Sequence, residues 1–176
     1  MLIQCTKKLF DDLKVMPVEQ VEGANPLLSW HANMLKIGRH KFLVLANDKN
    51  RYAIVLYGLK ARDKNRIKPL IGNAIREVFQ AESIDEEIIK EYLSTLPQLT
   101  FAKTKDRKLV ARLNKACEMV YFGEDYLDMD AIVQVEMSKR ISSLLVGDGK
   151  GGYFYPNEAM VRDLGEFWGE NPNVPG

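Results

Sequence analysis

The chain of 176 residues has the length of one domain, and such a chain can bury about 70% of the surface that its unfolded form exposes. Its residues are 46% hydrophobic and 28% charged, a globular composition that argues against a disordered chain. The formal net charge of +1 provides no overall field that would attract nucleic acid or an anionic membrane, so either would need a local patch.

The cysteine content and the length of the apolar runs indicate where the protein is located and whether it contains disulfides or a metal site. Two cysteines, Cys5 and Cys117, are too few for a disulfide framework, and neither has a second ligand at metal spacing. Both fall in apolar patterns, so we expect buried, reduced thiols. The N-terminus lacks the charge order of a signal peptide, and no apolar run approaches the roughly 20 residues of a membrane span. We therefore expect a cytoplasmic protein with no membrane partner, no metal and no cofactor.

The first part of the chain predicts a strand, a helix and then a meander. Residues 2–5 predict the strand, and Thr6 offers an N-cap to a helix with an apolar stripe. Proline and glycine at 16–29 indicate a loop. Three strand-like runs follow, joined by two turns, at 30–37, 41–46 and 51–57. Together these runs predict an antiparallel meander.

The remainder of the chain predicts several helices and one more strand. A capping-box pattern, Ser83 with Glu86, opens one of these helices, and a glycine-rich stretch at 147–152 predicts a flexible connector. The predicted elements are a helix at 70–82, a helix ending before Pro97, a strand at 99–104, and helices at 106–122, 129–146 and 156–168. We expect a single α+β domain over residues 1–168 and a C-terminal tail at 169–176. Its sheet would be mainly antiparallel, with about four to five strands packed against several helices.

The predicted hairpin contains both histidines of the chain. A two-residue turn at Gly38-Arg39 sets the register and places His31 opposite Ala46. Strand alternation puts Asn33 on the same face, and Asp48 joins them if the strand continues. An imidazole beside a carboxylate suits acid-base catalysis, with His31 as acid or base and Asp48 as its orienting partner. The alternative is that the Asn-Asp pair is turn chemistry and the histidine is a buried residue satisfied by a neighbour.

Two basic stretches are candidates for binding an anion. The stretch at 60–68 carries five positive charges against one aspartate, and that at 103–115 carries six against one. In the second, a predicted strand runs into a helix, so Lys103, Thr104 and Arg107 would lie where helix N-H groups favour a phosphate. No glycine-rich loop accompanies them, and a solvated helix face is the alternative. Because neither stretch has interleaved aromatic residues, the pattern does little to support nucleic acid as a partner.

Four short motifs occur in order along the chain. They are Cys5-Thr6-Lys7-Lys8, Trp30-His31-Ala32-Asn33, Asn47-Asp48, and Ala102-Lys103-Thr104 followed by Arg107 and Asn114. Over residues 1–146 the chain resembles a bacterial family of uncharacterised proteins that is known only as a domain of unknown function. The resemblance implies a compact cytoplasmic domain of about this length, and it carries over no activity, cofactor or catalytic residue.

These patterns leave two functions open. The first is a binding or regulatory domain that acts through a protein partner or through an anionic small molecule at Lys103, Thr104 and Arg107. The second is a small enzyme acting on a phosphorylated or nucleotide-like substrate. In the enzyme, His31 and Asp48 would be catalytic, and the basic residues would clamp the anion beside Asn33. The enzyme hypothesis requires the catalytic pair and the basic residues to line one pocket. The sequence favours the binding domain.

Overall fold

The structure, a computed structural model, describes residues 1–18, 23–104 and 106–169. The predicted tail beyond Gly169 and part of the predicted loop at 16–29 lie outside these residues. The strands are β1 (Leu2–Cys5), β2 (Ser29–Ile37), β3 (His40–Asn47), β4 (Ala53–Tyr57), β5 (Thr100–Lys103), β6 (Val146–Gly147) and β7 (Tyr153–Phe154). The α-helices are α1 (Lys7–Leu13), α2 (Ile67–Ala81), α3 (Glu86–Ser94), α4 (Arg107–Phe122), α5 (Val135–Ser142) and α6 (Pro156–Leu164). A π-helical turn at Gly165–Gly169 follows α6.

The main sheet has the strand order β4-β3-β2-β1-β5 and is mixed. The meander of β2, β3 and β4 is antiparallel as predicted, whereas β1 pairs in parallel with both β2 and β5. Parallel neighbours require a crossover connection, and helices supply it here: α1 follows β1, and α2 and α3 precede β5. The α+β class is therefore confirmed, and the expectation of a mainly antiparallel sheet is partly wrong.

The β2–β3 hairpin has the register that was counted from its turn. Gly38 adopts a φ of 56°, which glycine tolerates without strain, and His31 pairs with Ala46. Because side chains alternate along each strand, His31 and Asn33 lie on one face and Trp30 lies on the other. The position of the two polar residues on the sheet is thus confirmed.

Helices cover both faces of the sheet, and each interface forms its own apolar core. On one face, α1, α2, α3 and α6 pack around the fully buried Trp30, whose indole N-H donates to the Tyr92 hydroxyl at 2.9 Å. On the other face, α4 and α5 pack against Val44 and Val55. This second interface also contains His31 and Asn33, the polar residues that were expected on one face of the hairpin. In the described ranges, no helix is long and apolar enough to span a membrane.

The outer edge of β4 is closed by side chains and by irregular backbone. The N-H of Val55 donates to the Ser138 hydroxyl at 2.9 Å, and the N-H of Ala53 donates to the Ser142 hydroxyl at 3.0 Å. Residues 131–134 run alongside β4, where the N-H of Gln134 donates to the carbonyl of Val55. The helix predicted at 129–146 is therefore too long, because its first residues pair with a strand edge instead of coiling.

Two boundaries in the second half also differ from the prediction. Asp85 caps α3, because its carboxylate accepts the N-H of Glu87, while Ser83 takes a positive φ of 58° before the helix begins. The glycine-rich stretch forms the turn between β6 and β7, where Asp148 accepts the N-H groups of Lys150 and Gly152. These N-H groups hold the pKa of Asp148 below its ordinary value.

Candidate functional site

A polar cluster lies between the sheet and α4, and we call Gln4, His31 and Asp48 the histidine centre. Gln4 is next to His31 because β1 and β2 run in parallel with these residues in register. The Nδ1 atom of His31 lies 2.6 Å from Oδ1 of Asp48, and the Gln4 amide donates to Oδ2 at 2.8 Å. Because a carboxylate accepts hydrogen bonds, this contact places the proton on Nδ1 of the imidazole.

The other nitrogen of His31, Nε2, is the atom left for chemistry. The side chain is 1% exposed, and within the described part of the chain Nε2 has no hydrogen-bond partner. An imidazole held at one nitrogen by a carboxylate and free at the other is the arrangement of a general base. Here, however, the free nitrogen is enclosed by the fold and is not exposed to a substrate in this structure.

Asn33 links the end of β1 to the same interface. The Thr6 hydroxyl donates to Oδ1 of Asn33 at 2.6 Å, and the Cys117 thiol of α4 lies close enough for Asn33 to act on its pKa. Burial raises the pKa of Cys117 to about 11, so this thiol stays protonated at neutral pH. Asn33 therefore lies on the same face as His31, with its side-chain carbonyl oxygen already hydrogen-bonded to Thr6, the residue between β1 and α1.

The three residues expected to bind an anion, Lys103, Thr104 and Arg107, lie at the end of β5 and the start of α4. Lys103 pairs with Cys5, which places it on the face of the sheet opposite the histidine centre. Thr104 uses its N-H to extend the pairing with β1, and Arg107 is exposed. Among the described residues, no hydrogen bond or ion pair joins Lys103 or Arg107 to the histidine centre. The proposed catalytic pair is adjacent, whereas the proposed anion clamp does not contact it.

The N-terminus of α4 carries a carboxylate of its own. Oδ1 of Asp106 accepts the N-H groups of Lys108 at 2.7 Å and Leu109 at 3.2 Å. These bonds hold the pKa of Asp106 below its ordinary value, and the nearby His31 contributes in the same direction. Asp106 thus uses the helix N-H groups that we expected an external anion to use.

Arg112 is the residue that connects the histidine centre to a neighbouring cavity. This half-buried arginine donates from a terminal nitrogen to the carbonyl oxygen of Asp48 at 3.4 Å. Sequence reasoning missed both Arg112 and Gln4. The only signal for Gln4 in the sequence was that it is a polar residue inside an apolar strand. Which residues it would contact depended on the strand that pairs with β1, and the sequence did not identify that strand. Arg112 was counted only as one of six positive charges.

The cavity lies between α4, α5 and the start of α6, and we call it the cationic pocket. Its volume is about 160 Å³. Three cationic side chains lie on an otherwise largely apolar lining, which consists of Arg51, Arg112, Lys115, Ala116, Met119, Ile141, Leu144, Leu145, Val146 and Pro156. No sequence pattern pointed to this pocket, because its residues come from four separate parts of the chain.

Arg51 is the least satisfied cation of this pocket. It adopts a φ of 63°, and its guanidinium carbon lies 5.6 Å from the centre of the Phe154 ring. Its Nε atom is buried and unpaired as far as the described residues extend. Burial lowers the pKa of Arg51, the charge of Arg112 lowers it further, and Asp148 opposes both effects.

Comparison with known proteins identifies the family but no function. No curated protein and no solved structure matches the chain. A family model described as a domain of unknown function (DUF6933) matches residues 2–159, a range that contains the histidine centre and the cationic pocket. The expected resemblance to such a family is confirmed, and the chain belongs to the DUF6933 family.

Proposed function

We propose that this protein is a binding domain for a small anionic ligand, which it holds in the cationic pocket. The observation that supports the proposal is the pair of arginines on the pocket wall. Neither Arg51 nor Arg112 has a carboxylate within ion-pair distance in the described ranges, whereas Lys115 is paired with Glu118 at 2.9 Å. An anion between the two guanidinium groups would supply the missing partner.

The energetics favour such a ligand because the two arginines repel each other in a partly desolvated cavity. Burial lowers the pKa of Arg51 most and the charge of Arg112 lowers it further, so an anion bound between the two groups would relieve an unfavourable interaction of the free protein. Guanidinium groups also bind carboxylates and phosphates in a bidentate manner, which adds directional hydrogen bonds to the charge attraction. This site replaces Lys103, Thr104 and Arg107 as the proposed anion site.

A thermal-shift and calorimetry panel with matched arginine variants tests this function. The panel contains acetate, benzoate, inorganic phosphate and nucleotides, with the wild type, Arg112→Gln and Arg107→Gln. An anion present at about 100 times its dissociation constant should stabilise the wild type by about 2.7 kcal/mol. We expect Arg112→Gln to lose this stabilisation. Arg107→Gln, which removes a charge from the exposed start of the same helix, should keep it.

Two results would overturn the proposal. If no anion in the panel stabilises the wild type, the pocket does not bind small anions. If Arg107→Gln abolishes the effect while Arg112→Gln does not, the anion binds near the start of α4 as the sequence suggested.

A second function, a small enzyme with an acid-base histidine, is favoured by one specific observation. His31 contacts Asp48 at 2.6 Å and keeps Nε2 without a partner in the described structure. The test is turnover of phosphorylated and nucleotide-like substrates by the wild type and by His31→Gln. Turnover that disappears in His31→Gln, while ligand binding to Arg112 persists, would support the enzyme. Equal product release with and without the wild-type protein would exclude it for the substrates used.

A further inference from the structure

We infer that the anion of the cationic pocket is a small monocarboxylate with a compact apolar body of about six carbon atoms. This inference rests on the proposed function and adds the chemical class of the ligand. Three properties of the pocket lead to it: the size of the cavity, the apolar side chains of its lining, and the balance of charge around the arginines.

The size of the cavity limits the apolar part of the ligand. Its volume is about 160 Å³. An apolar protein cavity of about 150 Å³ holds a benzene molecule. A body of this size fills the pocket, whereas an inorganic anion alone leaves most of it empty. A nucleotide would extend beyond the pocket.

The rest of the pocket lining is apolar and partly exposed to solvent. Ile141 and Ala116 are buried at the base, while Leu144 and Leu145 at the rim are 41% and 54% exposed. A hydrocarbon body seated against them would remove this apolar surface from water, and each buried methylene strengthens binding about fourfold. The hydrocarbon part of the ligand thus adds to the affinity that its carboxylate provides.

The charges around the pocket favour a single negative charge. Glu118 pairs with Lys115, and Asp148 partly offsets the charge of Arg51 from beyond ion-pair distance, so the positive charge in excess is less than that of two arginines. Phosphate groups are commonly held by free backbone N-H groups at a helix N-terminus. Arg112 and Lys115 belong to the interior of α4, and α6 begins at the pocket with Pro156, which has no N-H. A carboxylate paired with the arginines fits this arrangement better than a phosphate.

Isothermal titration with acetate, hexanoate, benzoate and inorganic phosphate tests the inference on the full chain. We expect benzoate and hexanoate to bind at least about tenfold more tightly than acetate or phosphate, because only they fill the apolar part. Leu145→Ser should reduce this advantage severalfold. The matched control is Val161→Ser, because Val161 is 48% exposed on α6 and does not line the pocket. The control should leave all four affinities unchanged.

The outcomes separate the two proposals. If acetate or phosphate binds as tightly as benzoate, the ligand class is wrong while the anion-binding function stands. If Leu145→Ser and Val161→Ser have equal effects, the rim of the pocket does not contact the ligand, and the inference is likewise wrong. If none of the four compounds binds and the wider anion panel is also negative, both proposals are wrong.

Discussion

At the scale of single residues, the histidine centre depends on Asp48, because both of its carboxylate oxygens are in use. One accepts from His31 and the other from Gln4. In Asp48→Asn, the amide can accept only one of these bonds and directs its own N-H groups at the other donor. We expect the free energy of unfolding to fall by roughly 2–4 kcal/mol, measured by urea denaturation.

A second aspartate beside the same centre supplies the control for this prediction. Asp106 is exposed and caps α4, and asparagine is an equally good N-cap residue. Asp106→Asn should therefore change the free energy of unfolding by less than about 0.5 kcal/mol near neutral pH. Equal losses in the two variants would mean that the charge near α4 matters, rather than the hydrogen bonds of the buried carboxylate.

At the scale of elements, α5 protects the edge of the sheet with serine hydroxyls. The fully buried Ser138 accepts the N-H of Val55 and donates to the carbonyl of Gln134. Ser138→Ala leaves that strand N-H buried without an acceptor, which costs about 1–3 kcal/mol. We expect faster amide hydrogen exchange at Val55. Ser143→Ala, which removes an exposed hydroxyl just after the same helix, should leave this exchange unchanged.

At the scale of the whole molecule, the two apolar cores each contain one cysteine, so the thiols report on the two faces separately. Burial raises the pKa of Cys5 to about 12 and that of Cys117 to about 11. We expect neither thiol to react with a disulfide reagent at neutral pH until the protein unfolds, and both to react at one rate if it unfolds as a unit. Cys5→Ala and Cys117→Ala assign the signals. A much faster reaction of one thiol would show that its helix layer opens independently.

Local elements were predictable because their signals lie within a few residues of one another. Thr6 and Asp106 cap the helices that they were expected to begin, and alternation around the Gly38-Arg39 turn placed His31 opposite Ala46. Local signals failed where a distant partner decides the structure. Residues 131–134 have apolar spacing that suits a helix, yet they lie along β4 because its edge offers them hydrogen bonds.

The sequence by itself determined most of the helices, the meander and the neighbourhood of His31 and Asp48, because capping, turns and alternation act over short distances. Only the tertiary structure decided that β1 lies between β2 and β5, which brings Gln4 to the histidine centre and sends Lys103 to the other face. It also decided that Arg51 and Arg112 share a cavity. Strand pairing and cavity formation depend on contacts between residues far apart in the chain. Patterns among neighbouring residues do not predict such contacts.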